Sequence, residues 1–468
     1  MPVIHIKKEL IHMKRIDFEH GSIPSNILNA AIPMLVAQLL SLLYNIIDRI
    51  YIARIPHIGT TALGAVGLCF PIIVIITAFS NLFGSGGAPL FSIRRGENNS
   101  RKASEIMNTS YTMVCGGAIV LMVIGFLFAR PILRLFGASE SALVYAYPYL
   151  MIYLLGTLPS MISTGMNSFI NAQGYAMTGM TSVAIGAVAN CILDPVFIFV
   201  FSLGIRGAAI ATVISQTLSA AFVLYFLKKR SELNVRFLTR SELSRCTETA
   251  KNIVSLGTAG FIMQLTNSLV SSCCNNVLSV TGGDIYISVM TIISSVRQLV
   301  ETPIYAMNEG SSSPILSYNY GARRPKRVKQ AIGTMAVMIF VYTAAMWSVI
   351  IVAPHFLIGI FSSDSELIKD AVPALKLYFA AFIFMDLQYI GQTTFKSLNK
   401  KKQAIFFSLL RKVFIVVPLT YLLPYSLGMG TRGVFMAEPV SNVIGGSLCF
   451  LTMLATVIPE LNHMEKQK

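Results

Sequence analysis

Met177-Thr-Gly-Met-Thr-Ser-Val-Ala-Ile-Gly-Ala-Val-Ala-Asn190-Cys-Ile-Leu-Asp194-Pro195-Val-Phe-Ile-Phe-Val-Phe201 is an apolar run long enough to cross a bilayer, with one amide and one carboxylate inside it. An ionised Asp near the middle of a membrane costs about 2.5 to 3.5 kcal/mol even on lenient insertion scales, so such a residue marks a function unless its surroundings satisfy it. Asn190 and Asp194 are four apart, which places both on one helix face. Pro195 cannot donate to the Cys191 carbonyl one turn back, so a bare backbone oxygen is left beside the carboxylate. Carboxylate, amide oxygen and freed carbonyl together form a half-shell suited to a proton or a small hard cation. The plainer alternative is an Asp satisfied by a Ser or Thr at a helix kink.

Working outward, apolar residues make up 54% of the chain and charged residues 12%, with a mean hydropathy of +0.66. A soluble protein carries about twice that share of charge, so the composition is that of a polytopic membrane protein. Lys7, Lys8, Glu9, Lys14, Arg15, Asp17 and Glu19 break up the first twenty residues. No signal-peptide core precedes Ile27, and the first membrane helix is expected to act as its own uncleaved insertion signal. Apolar spans fall near 27–53, 62–84, 106–128, 143–169, 177–201, 206–227, 253–279, 285–307, 328–352, 371–395, 404–424 and 433–457, which predicts twelve transmembrane helices.

With the N-terminus inside, the inner segments hold 26 Lys and Arg and the outer ones six. That asymmetry predicts a multi-pass protein of the cytoplasmic membrane with both termini in the cytoplasm, and makes the net charge of +16 a topology signal rather than a nucleic-acid patch. The seven cysteines show neither metal spacing nor a CxxC and read as packing residues; the six histidines lie outside the spans, which argues against a histidine proton relay.

The two halves repeat. Pro89, Ser92 and Gly96 recur as Pro314, Ser317 and Gly321, and Phe136 and Pro148 as Phe361 and Pro373, all at an offset of 225. Gly207, Ala211 and Ser215 recur as Gly433, Ala437 and Ser441 at 226. Six helices per half restore the starting orientation, so the fold class expected is an all-α membrane protein of two pseudo-symmetric six-helix bundles around a central cleft. The corresponding boundaries are a cytoplasmic tail at 1–24, an N-lobe at 25–228, a cytoplasmic linker at 229–252, a C-lobe at 253–457 and a cytoplasmic tail at 458–468. Alternating access is the default mechanism for two such lobes.

Asp48, Asp194 and Thr212, on the first, fifth and sixth spans, all lie roughly 8 to 11 Å below the outer surface at 1.5 Å of rise per residue. Tyr44 is one turn before Asp48 and shares its face. Two carboxylates forced together in low dielectric do not both stay charged, so the pair is expected to share a proton or hold a cation, unless it is a structural network. The C-lobe keeps no such pair, since Cys273 falls opposite Asp48 at 225 and Thr420 opposite Asp194 at 226. It carries Arg297 and Glu301, four apart and expected to pair, with Asp386 as an acid that would meet a cationic substrate. Glu438, near the start of the last span, reads as a side chain reaching up to the surface. The 22 Met and 28 Phe suit a cavity for varied flat, greasy molecules, although lipid contact explains most of them equally well.

These residues resemble the MATE family, the multidrug and toxic compound extrusion transporters, in its bacterial drug-efflux branch. The matching pieces are Leu43-Tyr44-Asn45-Ile46-Ile47-Asp48-Arg49-Ile50-Tyr51-Ile52, Leu193-Asp194-Pro195, the Gly207-to-Gln216 segment, and the Gly96 and Gly321 segments. The resemblance implies a twelve-helix, two-lobe antiporter that exports cationic or amphipathic drug-like compounds against inward H⁺ or Na⁺, with no other cofactor and as a monomer. It implies a cation-coupling site, possible for Na⁺, at Asp48, Asn190, Asp194 and Thr212. It adds Tyr44, Tyr149 and Asn167 as further N-lobe cavity positions and Asp386 as the helix 10 acid of some members. No acidic residue occurs between Ile253 and Ser279, which favours coupling in the N-lobe.

Three other classes fit less well. A lipid-linked precursor flippase of the same superfamily often has two extra helices and a strongly basic central cavity. An integral-membrane enzyme needs a His or Cys constellation at membrane depth, and none is found. A channel needs a continuous polar stripe.

Overall fold

The computed structural model describes residues 15–56, 58–136, 138–361 and 364–467; the tail residues Lys7, Lys8 and Lys14 lie outside them. Among the described residues every regular element is a helix. The chain forms two compact units, Met1–Asp17 with Ile32–Gly257, and Phe18–Ala31 with Thr258–Lys468.

The first unit is built from α1 (Ile23–Ala53, whose first turns belong to the second unit), α2 (Gly59–Gly96), α3 (Ser100–Leu135), α4 (Glu140–Leu155), α5 (Thr157–Ala172), α6 (Ala176–Pro195) and α7 (Gly204–Lys229). A short helix, α8 (Arg240–Arg245), follows α7, capped by Thr239 and Glu242. The second unit contains most of α9 (Thr247–Thr281), then α10 (Gly283–Tyr305), α11 (Ser313–Gly321), α12 (Pro325–Val352), α13 (Pro354–Gly359), α14 (Ser365–Tyr378), α15 (Ile383–Ser397), α16 (Lys401–Leu409), α17 (Val417–Tyr421), α18 (Thr431–Ser441) and α19 (Ser447–Lys466).

Among the described residues nine helices are long and apolar enough to cross a membrane, and a tenth crossing results if α4 and α5, bent by 54°, count as one. Gly156 lies at that bend, and Pro159 cannot donate to the Leu155 carbonyl across it. The expected span 285–307 is also helical but less apolar, because it carries Arg297 and Glu301, while the expected span 371–395 is divided at 379–382 into the ends of two shorter helices, α14 and α15. Helices α2 and α3 overrun their expected spans, and Arg94 and Arg95 in the last turn of α2 suit its partial negative charge.

Within the first unit α2 packs on α3 and α5, and α6 on α7. A Cβ at Gly84 would lie 2.5 Å from the Gly165 Cα, so only paired glycines allow α2 and α5 to come so close. Phe91 and Phe169 meet edge to face beneath that contact, with ring centroids 5.4 Å apart.

The repeat is written into the backbone as well. Four of the left-handed positions in the first unit, Asn98, Gly174, Ser202 and Gly204, recur as Arg323, Asn399, Gly428 and Gly430. The helix widens into π geometry at Val196–Val200 after α6 and again at Leu422–Ser426 after α17, an offset of 226. A Cβ at Gly207 would lie 2.6 Å from the Phe197 carbonyl carbon, and one at Gly433 2.8 Å from the equivalent carbon of Leu423. The same glycine lets the returning helix lean on the widened turn in each half.

Candidate functional site

Pro195 ends the regular α6, and Gly207 lets α7 close on the turn that follows. That packing brings the end of α6 and the start of α7 together. The Asn190 amide nitrogen donates to Asp194 Oδ1 at 3.1 Å and reaches Thr212 Oγ1 at 3.5 Å, while the Thr212 hydroxyl donates to the Ala208 carbonyl at 3.0 Å. From α1, the Asp48 carboxyl comes within hydrogen-bonding reach of Asp194. Asp194 is fully buried and Asn190 nearly so; Asp48 and Thr212 are half-buried.

The acceptors outnumber the donors. Asp48 Oδ1, Asp194 Oδ2 and Asn190 Oδ1 are buried without a hydrogen-bond donor. Arg49, the next residue in α1, has its guanidinium 5.8 Å from the Phe70 ring, and no ion pair to either carboxylate occurs among the described residues. Two facing carboxylates with no donor between them need a shared proton or a cation. The oxygens of Asn190 and Thr212 are of the hard type that a small cation takes. Tyr44 and Tyr149 lie within electrostatic reach of both carboxyls.

Sequence reading passed over Tyr153 and Gln216, which extend this polar pocket. Tyr153 stacks with Tyr149 at a centroid distance of 6.2 Å and accepts from the Gln216 amide at 3.4 Å. Their signal was the spacing, because Tyr153 is one turn beyond Tyr149 and Gln216 one turn beyond Thr212. Asn167 is not part of the cluster: it donates to the Gly179 carbonyl at 3.2 Å, and Gly179 lies ~22 Å along α6 from Asp194 at 1.5 Å of rise per residue.

The second unit places its ionisable groups differently. Asp386 on α15 is fully buried, and its Oδ1 accepts from the Thr343 hydroxyl at 3.0 Å while Oδ2 has no donor. Arg297 and Glu301 pair through Nε and Oε1 at 2.5 Å. The expectation that Glu438 reaches the surface does not hold. Glu438 is 4% exposed, and its Oε1 is shared by Arg297 at 2.9 Å, Arg411 at 3.1 Å and Lys412 at 3.1 Å. Sequence reading left Arg411 and Lys412 unweighed although two adjacent cations in the middle of the 404–424 span signal a buried partner. The equivalent of the Asp48–Asp194 meeting is Cys274 Sγ with Thr420 Oγ1 at 3.9 Å. The residue facing Thr420 is thus Cys274, one position beyond the Cys273 expected from the offset.

The family model described as MatE matches residues 33–196 and again 260–422, so it covers both halves of the repeat. The chain belongs to the MatE family. MatE membership makes it a membrane transporter, and its all-α architecture agrees with solved MATE structures. One, described as MATE in the bent conformation, superposes with a TM-score of 0.88 at 21% identity over 97% of this chain and 99% of that one. Another, described as a transporter of the MOP superfamily from Pyrococcus furiosus whose binding pocket has reverse polarity, gives 0.86 at 22% over the same shares. Among MatE relatives, the multidrug export protein MepA of Staphylococcus aureus is 25% identical over 443 residues, 94% of each chain. MepA of Staphylococcus haemolyticus is 25% identical over 415 residues, 88% of this chain and 89% of that one.

Proposed function

We propose that the protein is a secondary active multidrug antiporter that exports cationic or amphipathic compounds in exchange for inward H⁺ or Na⁺ by alternating access. Asp48, Asn190, Asp194 and Thr212 hold the coupling cation; Tyr44 and Tyr149 line the adjoining cavity, and Asp386 meets the charge of a cationic substrate. The observation that carries this reading is the meeting of Asp48 and Asp194 with three buried acceptor oxygens and no donor or ion-pair partner between them. Filling that gap with a proton or Na⁺ neutralises the pair, and emptying it restores repulsion. The membrane potential contributes about 2.3 kcal/mol per charge per 100 mV to inward cation movement, enough to bias a two-state carrier. The substrate class is supported by the names of the MepA relatives. Both termini face the cytoplasm, and the functional unit is a monomer.

The test is export of an aromatic cation from proteoliposomes under an imposed pH gradient and, separately, an imposed Na⁺ gradient. Export driven by one gradient and absent without either is the expected result. Export insensitive to both gradients overturns the coupling.

A further inference from the structure

Between α7 and α9 the chain does not run clear of the bundle. No charged residue interrupts α3 over 106–129 or α7 over 207–227, so these runs mark the part of each helix that suits hydrocarbon. The segment that leaves α7 turns back onto both. The Val235 backbone N–H donates at 3.0 Å to the carbonyl of Leu227, the last residue of the α7 run. On α3, Asn108 Oδ1 accepts from the Arg236 backbone N–H at 2.9 Å and Thr112 Oγ1 from the Leu238 backbone N–H at 3.4 Å. Asn108 and Thr112 lie roughly one and two helical turns inside Glu105, the nearest charge on α3. Residues 235–238 are therefore held at the boundary between hydrocarbon and water.

The side chains shown at this boundary are aromatic and basic. The Phe237 ring lies against Tyr111 with centroids 4.6 Å apart, yet the residue is 55% exposed. Tyr225, two residues before Leu227 on α7, is 54% exposed. Half-exposed rings at this level are those that sit among lipid headgroups. Lys228 and Lys229 follow Tyr225 by three and four residues and so share its helix face, and both are exposed, as is Arg230. The acids nearby are turned elsewhere, Glu232 to Arg95 and Glu242 to Arg236, at 2.6 Å each. Long basic side chains beside apolar surface reach outward to phosphate level.

We propose that residues 225–238 form a docking surface for the headgroups of anionic phospholipids, with Tyr225 and Phe237 seated among the headgroups and Lys228, Lys229 and Arg230 meeting their phosphates. The inference goes beyond the export reading and holds whichever cation or substrate is carried.

The chain has one tryptophan, Trp347, so Phe237→Trp or Tyr225→Trp each adds a reporter over the wild-type background. The purified full chain is placed in phosphatidylcholine nanodiscs with a rising share of phosphatidylglycerol, or of phosphatidylcholine, dibrominated near the headgroup end of its acyl chains. The quenching gained over wild type is the readout. Half-maximal quenching is expected at an at least fivefold lower share of the brominated phosphatidylglycerol, the scale of one cation near an anionic surface. Lys228→Gln with Lys229→Gln and Arg230→Gln should bring the two lipids within about twofold while leaving the quenching itself, whereas Lys228→Arg with Lys229→Arg should keep the preference. No added quenching at either reporter places the segment in water and overturns the surface. Equal quenching by the two lipids, or a preference that survives the triple change, overturns its anionic partner.

Discussion

The two halves share a scaffold and invert its polarity. At an offset of 226, Asp194 becomes Thr420, Thr212 becomes Glu438, Gln216 becomes Asn442 and Gly186 becomes Lys412. Tyr153 and Tyr378 correspond at 225. The backbone around these positions repeats down to the π turns and the left-handed residues. In the first unit the result is two carboxylates with unused acceptors; in the second it is three cations converging on one oxygen of Glu438. Duplicated packing evidently leaves the side chains inside the pocket free to change sign, because the helix contacts are carried by small residues such as Gly207 and Gly433.

The largest effect expected from breaking this contrast is on transport. Asp194→Asn and Asp48→Asn each remove one member of the acid pair while keeping its size. Gradient-driven export should fall by about 5- to 150-fold, the span of ordinary coupling free energies, with insertion intact. Because the two residues act as one unit, the double variant should be no worse than the poorer single one. Near-normal export in both single variants would remove the pair from the mechanism.

Second in size is a stability effect in the other half. Glu438→Gln leaves Arg297, Arg411 and Lys412 around a neutral amide, and uncompensated buried charge typically costs about 3 to 5 kcal/mol. Thermal unfolding of the purified protein should shift down markedly, and a Lys412→Met change in the same chain should restore part of the loss. A Glu438→Gln variant that melts like wild type would mean that the three cations do not depend on that carboxylate.

The contrast also shows what could be read in advance. Hydropathy outlined the spans, and identical residues at a constant offset exposed the repeat. The acid pair stood out since an Asp beside Pro in an apolar run has few explanations. The Glu438 cluster did not, because its partners come from α10 and from the turn after α16, more than a hundred residues and a few tens of residues away respectively. Depth along one helix cannot tell a surface-seeking Glu from one held by cations on its neighbours. Arg297, one of the cations that bind Glu438, is also what makes α10 less apolar than a simple span. Asn167, assigned by resemblance to the N-lobe cavity and not to the acid pair, donates to the Gly179 carbonyl at the opposite end of α6 from Asp194.

A smaller effect sharpens the claim that the scaffold is equivalent in the two halves. Gly207→Ala and Gly433→Ala each place a methyl group 2.6 Å from a backbone atom, of Phe197 in one unit and Pro424 in the other. Overpacking of this kind costs roughly 1 to 3 kcal/mol. Both variants should unfold at similarly lowered temperatures, but Gly207→Ala should also weaken cation-driven export, since α7 carries Thr212. Equal transport in the two variants would separate the packing from the site.

The smallest effect lies outside the membrane, where the same chemistry as the Glu438 cluster operates in water. Arg236 grips Glu242 with two bonds of 2.6 and 2.9 Å, and the Thr239 backbone N–H donates to the same carboxylate at 2.9 Å. The Arg236 guanidinium first, and then the Thr239 donors, hold the Glu242 carboxyl down to about 2 from an ordinary 4.5. A lowered carboxyl stabilises α8 fully above its unfolded value, so the linker should keep its structure at neutral pH and lose this contribution only as pH falls from 4.5 toward 2. Glu242→Gln removes that dependence and should make the linker slightly more open to protease at neutral pH, with export unchanged within about twofold, because solvent screens an exposed pair. A large loss of stability in Glu242→Gln would mean that burial is not what separates this pair from the one at Glu438.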